Sequence, residues 1–471
     1  MSRWGACLGG LAAACLLAAC AAPGGPGETP RLDLPAQWTL EAPWQPGQPR
    51  DAVPKGPWWE SFGDAKLNAL QQQALRDNPG LAAAAGRLAQ ARAQVSAASA
   101  GLFPQLNLSG RGARQRISAN RPLSNYNSPN FSTVQNDLTL GFSASYEVDL
   151  WGRVEQGIAG ARASAEQSAA DLENARLLLS AELAADYFNL RELDTELDVL
   201  ARSIALQRKA LDFVGARREL GAASGLELAQ QQALLDTTLT QVELLRRQRA
   251  QFEHAIAALV GQPAPGFAIA ADVRRFSLPE VPLGLPSELL QRRPDVASAQ
   301  RAMAVANAQI GVARAAFYPG ITLAPSYGVE SRALASLFDA PSLLWSFGVS
   351  ASQVLFDGGR LRANVDFARA GHEVAAANYR RVVLTAMQEV EDGISGVATL
   401  GRATAQADVA VASARRVLEL ANGRYEGGAS TYLDVITAQQ ALLSSERQAE
   451  QLRGQSLLVS VYLIKALGGD W

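Results

Sequence analysis

LTLGFSASYEVDLWGR, residues 138–153, decides how the chain is read. Leu138, Leu140, Phe142, Ala144, Tyr146, Val148 and Leu150 alternate with Thr139, Gly141, Ser143, Ser145, Glu147 and Asp149. Successive strand side chains point to opposite faces, so this period makes one face continuously apolar and the other small and polar. From Arg153 the chain turns Ala-, Leu- and charge-rich for about sixty residues without a proline, which predicts a long helix. A strand of this kind feeding such a helix needs something to cover its apolar face.

Working outward, the same unit occurs twice. DNPGLAAAAGRLAQARAQVSAASAGLFPQLNLSG (77–110) matches RRPDVASAQRAMAVANAQIGVARAAFYPGITLAPS (292–326), and GFSASYEVDLWGR (141–153) matches GVSASQVLFDGGR (348–360). LGAASGLELAQQQALL (220–235) matches GGASTYLDVITAQQALL (427–443), aligned with one residue inserted. Duplication at this scale makes each copy a structural unit. The offset falls from 215 to 207 between the first two matches, so the second copy lacks eight residues between its strands. Length changes of that sort mark an exposed hairpin loop.

Each copy reads helix, strand, strand, long helix, shorter helix. Asn78 and Arg293 precede a proline at the first helical position, a favoured start. Pro104 and Pro319 close those helices, because proline disfavours helix for the residue before it. Strand alternation follows at Leu106 and Leu108, at Ile321, Leu323, Tyr327 and Val329, and at Leu343, Trp345, Phe347, Val349 and Ala351. The long helices run from about Arg153 to Arg218 and from about Arg360 to Tyr425, each roughly 100 Å at 1.5 Å per residue. Leu190, Leu193, Leu197, Leu200 and Ile204 are spaced 3, 4, 3, 4, the seam of a coiled coil.

Four strands of about ten residues with one apolar face match the pattern of an outer-membrane barrel. If lipid covers that face, every backbone N–H and C=O in the layer needs a protein partner. Four strands are too few to close, since the smallest barrels have about eight. Oligomerisation follows, with a multiple of four strands; eight, twelve and sixteen remain open on this argument.

Composition agrees with an exported helical protein. The net charge is −2 and no Lys/Arg run stands out, so nucleic acid is not a partner. Arg3 and the small, apolar run Ala6 to Ala19 read as an export signal too short to span a bilayer. Leu17-Ala18-Ala19-Cys20 closes that run, resembles a lipoprotein lipobox and makes Cys20 the candidate lipidation site. Cys7, Cys15 and Cys20 are the only cysteines, so a mature chain starting at Cys20 has no disulfide.

GLPSELLQRRPDVASAQR (284–301), with the duplicated strand–helix units and the lipobox, resembles the TolC-like outer-membrane channels of tripartite efflux pumps. Within them it is similar to the lipoprotein (NodT-type) branch serving resistance-nodulation-division (RND) pumps. WWESFGDAKLNALQQQAL (58–75) looks like the opening of that family's first domain. The resemblance implies a mixed α+β membrane protein: a homotrimer whose twelve-stranded β-barrel continues into a periplasmic α-barrel. Its parts would be a signal peptide (1–19), a lipid-anchored segment (20–57), a first efflux repeat (58–261), an equatorial linker (262–284) and a second repeat (285–471). The implied function is a passive exit duct for drugs or other small toxic compounds. The implied partners are a periplasmic adaptor, an inner-membrane RND transporter and outer-membrane lipid. No cofactor or metal is implied.

Enzyme chemistry finds no footing. His254 and His372 lie far apart, each within a helical pattern, and no HExxH, GxSxG or phosphate-binding loop occurs. A structural coiled-coil protein would leave the amphipathic hairpins unexplained. The exit duct of a type I secretion system is the other channel reading. By resemblance, Leu220-Gly221-Ala222 and Gly427-Gly428-Ala429 form adaptor-docking tips where each long helix gives way to the next. The gate would be Asp434 with Arg424 and Tyr425, and with Glu227, Arg217 and Arg218 in the first copy. Family members often carry a second acid where this chain has Thr437, which leaves Asp434 as the main candidate. Ser224–Glu227 and Thr431–Asp434 also both read as capping boxes, a competing role for each acid.

Overall fold

The computed structural model describes residues 57–119, 133–279 and 292–469; Cys20, the signal peptide, the lipid-anchored segment and residues 284–291 lie outside them. The first copy comprises α2 (Pro79–Ser99), β1 (Gln105–Ile117), β2 (Thr133–Val148), α3 (Arg153–Glu219) and α4 (Gly225–Leu259), preceded by α1 (Ala65–Asp77). The second comprises α5 (Pro294–Ala315), β3 (Gly320–Ser331), β4 (Leu343–Ser352), α6 (Arg360–Glu426) and α7 (Tyr432–Ala466). The chain forms two compact units. One contains Leu88–Gln167 and Ala299–Asn378; the other contains Ser168–Ser298 and Tyr379–Trp471 with the described residues before Leu88.

The first unit holds one antiparallel sheet in the order β1-β2-β3-β4. Leu108 faces Phe142 and Phe142 faces Tyr327, so the apolar residues of neighbouring strands align on one face. Leu106, Leu108, Phe142, Tyr327, Trp345, Phe347 and Val349 are all exposed on it. Gly141 and Gly328 pair directly, and a Cβ on Gly328 would come within 2.6 Å of the Leu140 carbonyl. Helix packing in this unit depends on equally close approaches: a Cβ on Gly311 would meet the Gln156 side chain at 2.7 Å.

Two expectations need correction. β2 ends at Val148, so neither Asp149 nor Leu150 continues the strand. Asp149 instead serves the start of α3, its Oδ2 accepting from the Glu155 N–H at 2.8 Å. A helix opening leaves N–H groups without partners, and a carboxylate beside it satisfies one and favours the dipole. Glu147 does stay in the strand, and Arg153 clasps it through two guanidinium bonds of 2.7 and 2.5 Å. The third match needs no inserted residue. Arg153 and Arg360, Glu219 and Glu426, and Leu259 and Ala466 are all separated by 207 positions, so the helical parts of the two copies keep one register. The proline expectation holds: α2 passes into a 3-10 turn over Ala100–Leu102, and Phe103, just before Pro104, is extended with φ −119° and ψ 150°, while α5 ends at Ala315 ahead of Pro319.

The second unit is helical. Leu193, Val199, Leu200 and Ile204 of α3 pack with Leu235, Val242 and Leu245 of α4 and Leu443 of α7, with Leu197 alongside. The 3,4 spacing thus forms a buried seam, as interdigitating helices require. Trp58, Trp59 and Phe62 form a short 3-10 turn whose rings reach Phe188 of α3, the Phe62 and Phe188 centroids lying 4.8 Å apart.

Candidate functional site

The candidate residues gather at the two turns joining long and short helices, and the backbone solves both turns alike. In the first, Ala222 N–H donates to Arg217 O at 2.7 Å and Gly221 N–H to Arg218 O at 2.9 Å. In the second, Ala429 N–H donates to Arg424 O at 2.8 Å and Gly428 N–H to Tyr425 O at 3.0 Å. This is the Schellman ending, which needs a left-handed residue after the helix. Gly221 and Gly428 supply it with φ of 74° and 71°. Arg217 and Arg424 each send Nη2 to the carbonyl of Ala222 or Ala429 at 3.3 Å, tying the turn to its helix. Leu220 is 83% exposed at the first turn.

Behind the turns, the two hairpins meet through Val214, Leu234, Tyr425, Tyr432, Val435 and Ile436. The Tyr425 and Tyr432 rings lie 5.0 Å apart, and the Arg217 guanidinium sits 4.9 Å from the Tyr425 centroid, in cation–π range. Tyr432 OH donates to Gln231 Oε1 at 2.7 Å, and Gln231 Nε2 donates to the Gln207 carbonyl at 3.0 Å. The Tyr432 hydroxyl and the Gln231 amide are thereby satisfied across helices. Burial pushes the Tyr432 hydroxyl up to about 12, with Tyr425 and Glu227 adding to the shift. Burial also raises Tyr425; the Glu227 carboxylate reinforces this and Arg217 opposes it.

The two acids part company. Ser224 N–H donates to Glu227 Oε2 at 3.0 Å, and Glu227 N–H donates to Ser224 Oγ at 3.2 Å, a closed capping box. Thr431 makes no side-chain cap, which corrects the expectation of two boxes. Both N-cap residues have φ −84° and ψ 159°, so the backbone is not the cause. Both bonds of the box are absent: the Thr431 hydroxyl does not accept from the Asp434 N–H, and the aspartate, one methylene shorter than glutamate, does not bond the N-cap N–H. The Asp434 N–H bonds the Thr431 carbonyl at 3.2 Å instead, and the carboxylate is exposed and unbonded among the described residues. Of the remaining candidates, Arg218 lies beside Gly225, its Nη2 3.9 Å from where a Cβ there would sit.

Comparison with known proteins places this architecture. The model of the outer membrane efflux protein family matches residues 70–262 and 285–469. The chain belongs to the outer membrane efflux protein family. It is 33% identical over 464 residues to the pyoverdine export outer membrane protein OpmQ of Pseudomonas aeruginosa, covering 97% of this chain and 96% of that one. It is 34% identical over 429 residues to the toluene efflux pump outer membrane protein TtgF of Pseudomonas putida, covering 91% and 88%. The solved outer-membrane channel OprN matches with a TM-score of 0.86 at 26% identity, covering 95% of this chain and 99% of that structure. An outer membrane efflux protein is a channel component, not an enzyme.

Sequence reasoning about this efflux protein missed a buried ion network. Asp194, fully buried on α3, accepts from Arg191 at 2.9 Å and from Arg249 of α4 at 2.6 Å. The same arginines donate to the Ala270 and Ile269 carbonyls at 2.7 and 2.6 Å, and Asp272 N–H donates to Asp194 at 3.1 Å. Arg274 reaches Asp64 at 3.0 Å, and Asp64 also caps α1 and accepts from Tyr187 OH at 2.5 Å. Most partners lie 55 to 210 positions apart, so no local pattern announces them; Arg191 and Asp194, one helical turn apart, are the one visible trace. The network fastens the described part of the 262–284 linker to α1, α3 and α4.

Proposed function

We propose that three copies of this chain close a twelve-stranded barrel in the outer membrane and continue it as a helical tube across the periplasm. The assembly is the passive exit duct of a tripartite pump, fed by an inner-membrane RND transporter through a periplasmic adaptor. The sheet carries this reading: its outward face exposes Leu108, Phe142, Tyr327, Trp345 and Phe347, and β1 and β4 each have one neighbour among the described residues. Edge N–H and C=O groups in lipid need partners, and four strands are too few to close alone. β4 of one copy beside β1 of the next meets both demands. OpmQ is named for pyoverdine export and TtgF for toluene efflux, which supports small organic cargo over secreted protein.

The Leu220–Ala222 and Gly427–Ala429 turns are the periplasmic tip that receives the adaptor. Asp434, copied three times around the axis, makes the constriction, with Arg217, Arg218, Glu227, Arg424 and Tyr425 around it. Its unbonded carboxylate supports this role, since the competing task of capping is not performed. Acyl chains on Cys20 add an anchor to the one the barrel provides. Single-channel recording in planar bilayers tests the gate. Asp434→Asn is expected to raise conductance and lower cation preference, while Thr431→Ala leaves both unchanged. Equal effects from the two would reduce Asp434 to a helix-start residue. An oligomer mass in detergent other than three chains would remove the twelve-stranded barrel.

A further inference from the structure

The strand register sorts the charges of the sheet. Gly112 pairs with Leu138 and Gly110 with Leu140, so Arg114 and Arg116, continuing that alternation, share the outward face with the apolar residues. Arg111, Asp137, Glu147 and Glu330 fall on the opposite, small polar face. Among the described strand residues, Arg114 and Arg116 are therefore the outward face's charges, and every acid points the other way. Both arginines are exposed and lie on β1 beyond Gly112, at the end of the sheet away from the Val148–Arg153 turn. Arg116 has a partner within the chain, whereas Arg114 has no ion pair among the described residues.

Position along the strand points to what they meet. From Leu106 to Arg116 β1 rises about 34 Å, or about 26 Å of depth at a tilt of roughly 40°, with Arg114 about 20 Å along. Outer-membrane barrels carry an outward apolar band of about 25 Å, so the Arg114–Arg116 end of the strand reaches its edge, where cations are tolerated and headgroups begin. A guanidinium offers a planar fork that matches phosphate oxygens two at a time. With the strand acids turned to the other face and no ion pair for Arg114 among the described residues, the Arg114 charge is left for a ligand outside the chain.

We propose that Arg114 and Arg116 form a binding site for the phosphate groups of lipids in the leaflet that meets this end of the sheet. The inference rests on the membrane reading of the apolar face and adds the headgroup chemistry. The test uses the purified full-length oligomer and native mass spectrometry, with bisphosphorylated lipid A, its dephosphorylated form and phosphatidylcholine as probes. The wild type is expected to retain the phosphorylated lipid preferentially. Arg114→Gln with Arg116→Gln should lose about 30-fold, the change that about 1 kcal/mol per arginine near an anionic surface gives. Arg111→Gln, on the opposite face, should lose none, and Arg114→Lys should keep part of the preference, since the charge remains and the two-pronged fork is lost. Equal retention of both lipid A forms, an unchanged double variant, or an equal loss in Arg111→Gln would each overturn the site. Insertion into phosphatidylcholine vesicles, assayed in parallel, separates the two readings. Failure to insert removes the membrane face and the site together; insertion without phosphate preference removes the site alone.

Discussion

The two helix turns share a backbone and differ in what their side chains do. Gly221 and Gly428 hold nearly the same left-handed φ, Arg217 and Arg424 make the same 3.3 Å bond to the turn, and both N-caps have identical dihedrals. Where the first copy has Arg218 and Gly225, however, the second has Tyr425 and Tyr432, 207 positions later. Where the first has Glu227 locked in a capping box, the second has Asp434 unbonded. A duplicated frame thus lets one copy keep its acid for local stability while the other leaves it in solvent. The tyrosines of the second copy then form the core against which the first copy leans.

The comparison breaks most visibly at the 225/432 pair. Tyr432→Ala should cost about 3–5 kcal/mol in denaturant titration, the usual loss for truncating a buried aromatic. Gly225→Ala, at the matched position of α4, should gain about 0.4–1 kcal/mol by restricting the unfolded chain, since a Cβ there meets nothing closer than 3.9 Å. The same contrast appears with pH. Tyr432 titrates at about 12 in the fold against an ordinary 10.0. The stability it contributes as a neutral phenol is therefore complete below pH 10 and lost as pH rises through about 12. Tyrosinate absorbance followed alongside unfolding checks this, and Tyr432→Phe should remove that part of the alkaline transition.

A smaller effect should confirm the sameness of the two turns. Gly221→Ala and Gly428→Ala should each cost about 1–2 kcal/mol, the price of a left-handed L-residue, because neither position has an atom within 4 Å of a new Cβ. Hydrogen exchange at the Ala222 and Ala429 amides reads both; unequal losses would mean the turns are not equivalent. The smallest effect separates the caps. Ser224→Ala should cost about 1 kcal/mol and speed exchange of the Glu227 amide about fivefold. Thr431→Ala should leave the Asp434 amide unchanged, since its partner is the Thr431 carbonyl.

Much of this was legible in the chain itself. Period-two alternation placed β2 and its apolar face, and the absence of proline set α3 and α6 to within a residue at each end. The glycines marked the turns because left-handed backbone is a local demand that few other residues meet. Asp149 was misplaced because alternation by itself does not say where a strand ends and a helix start claims the next carboxylate. What only the tertiary structure decided depends on distance across the fold. Tyr432 finds Gln231 across 201 positions, Asp194 gathers Arg249 and the linker amide of Asp272, and Asp64 binds Arg274 across 210. Those bonds follow from which helix faces pack together. Local periodicity says that a face is buried, while the packing alone determines which polar groups meet inside it.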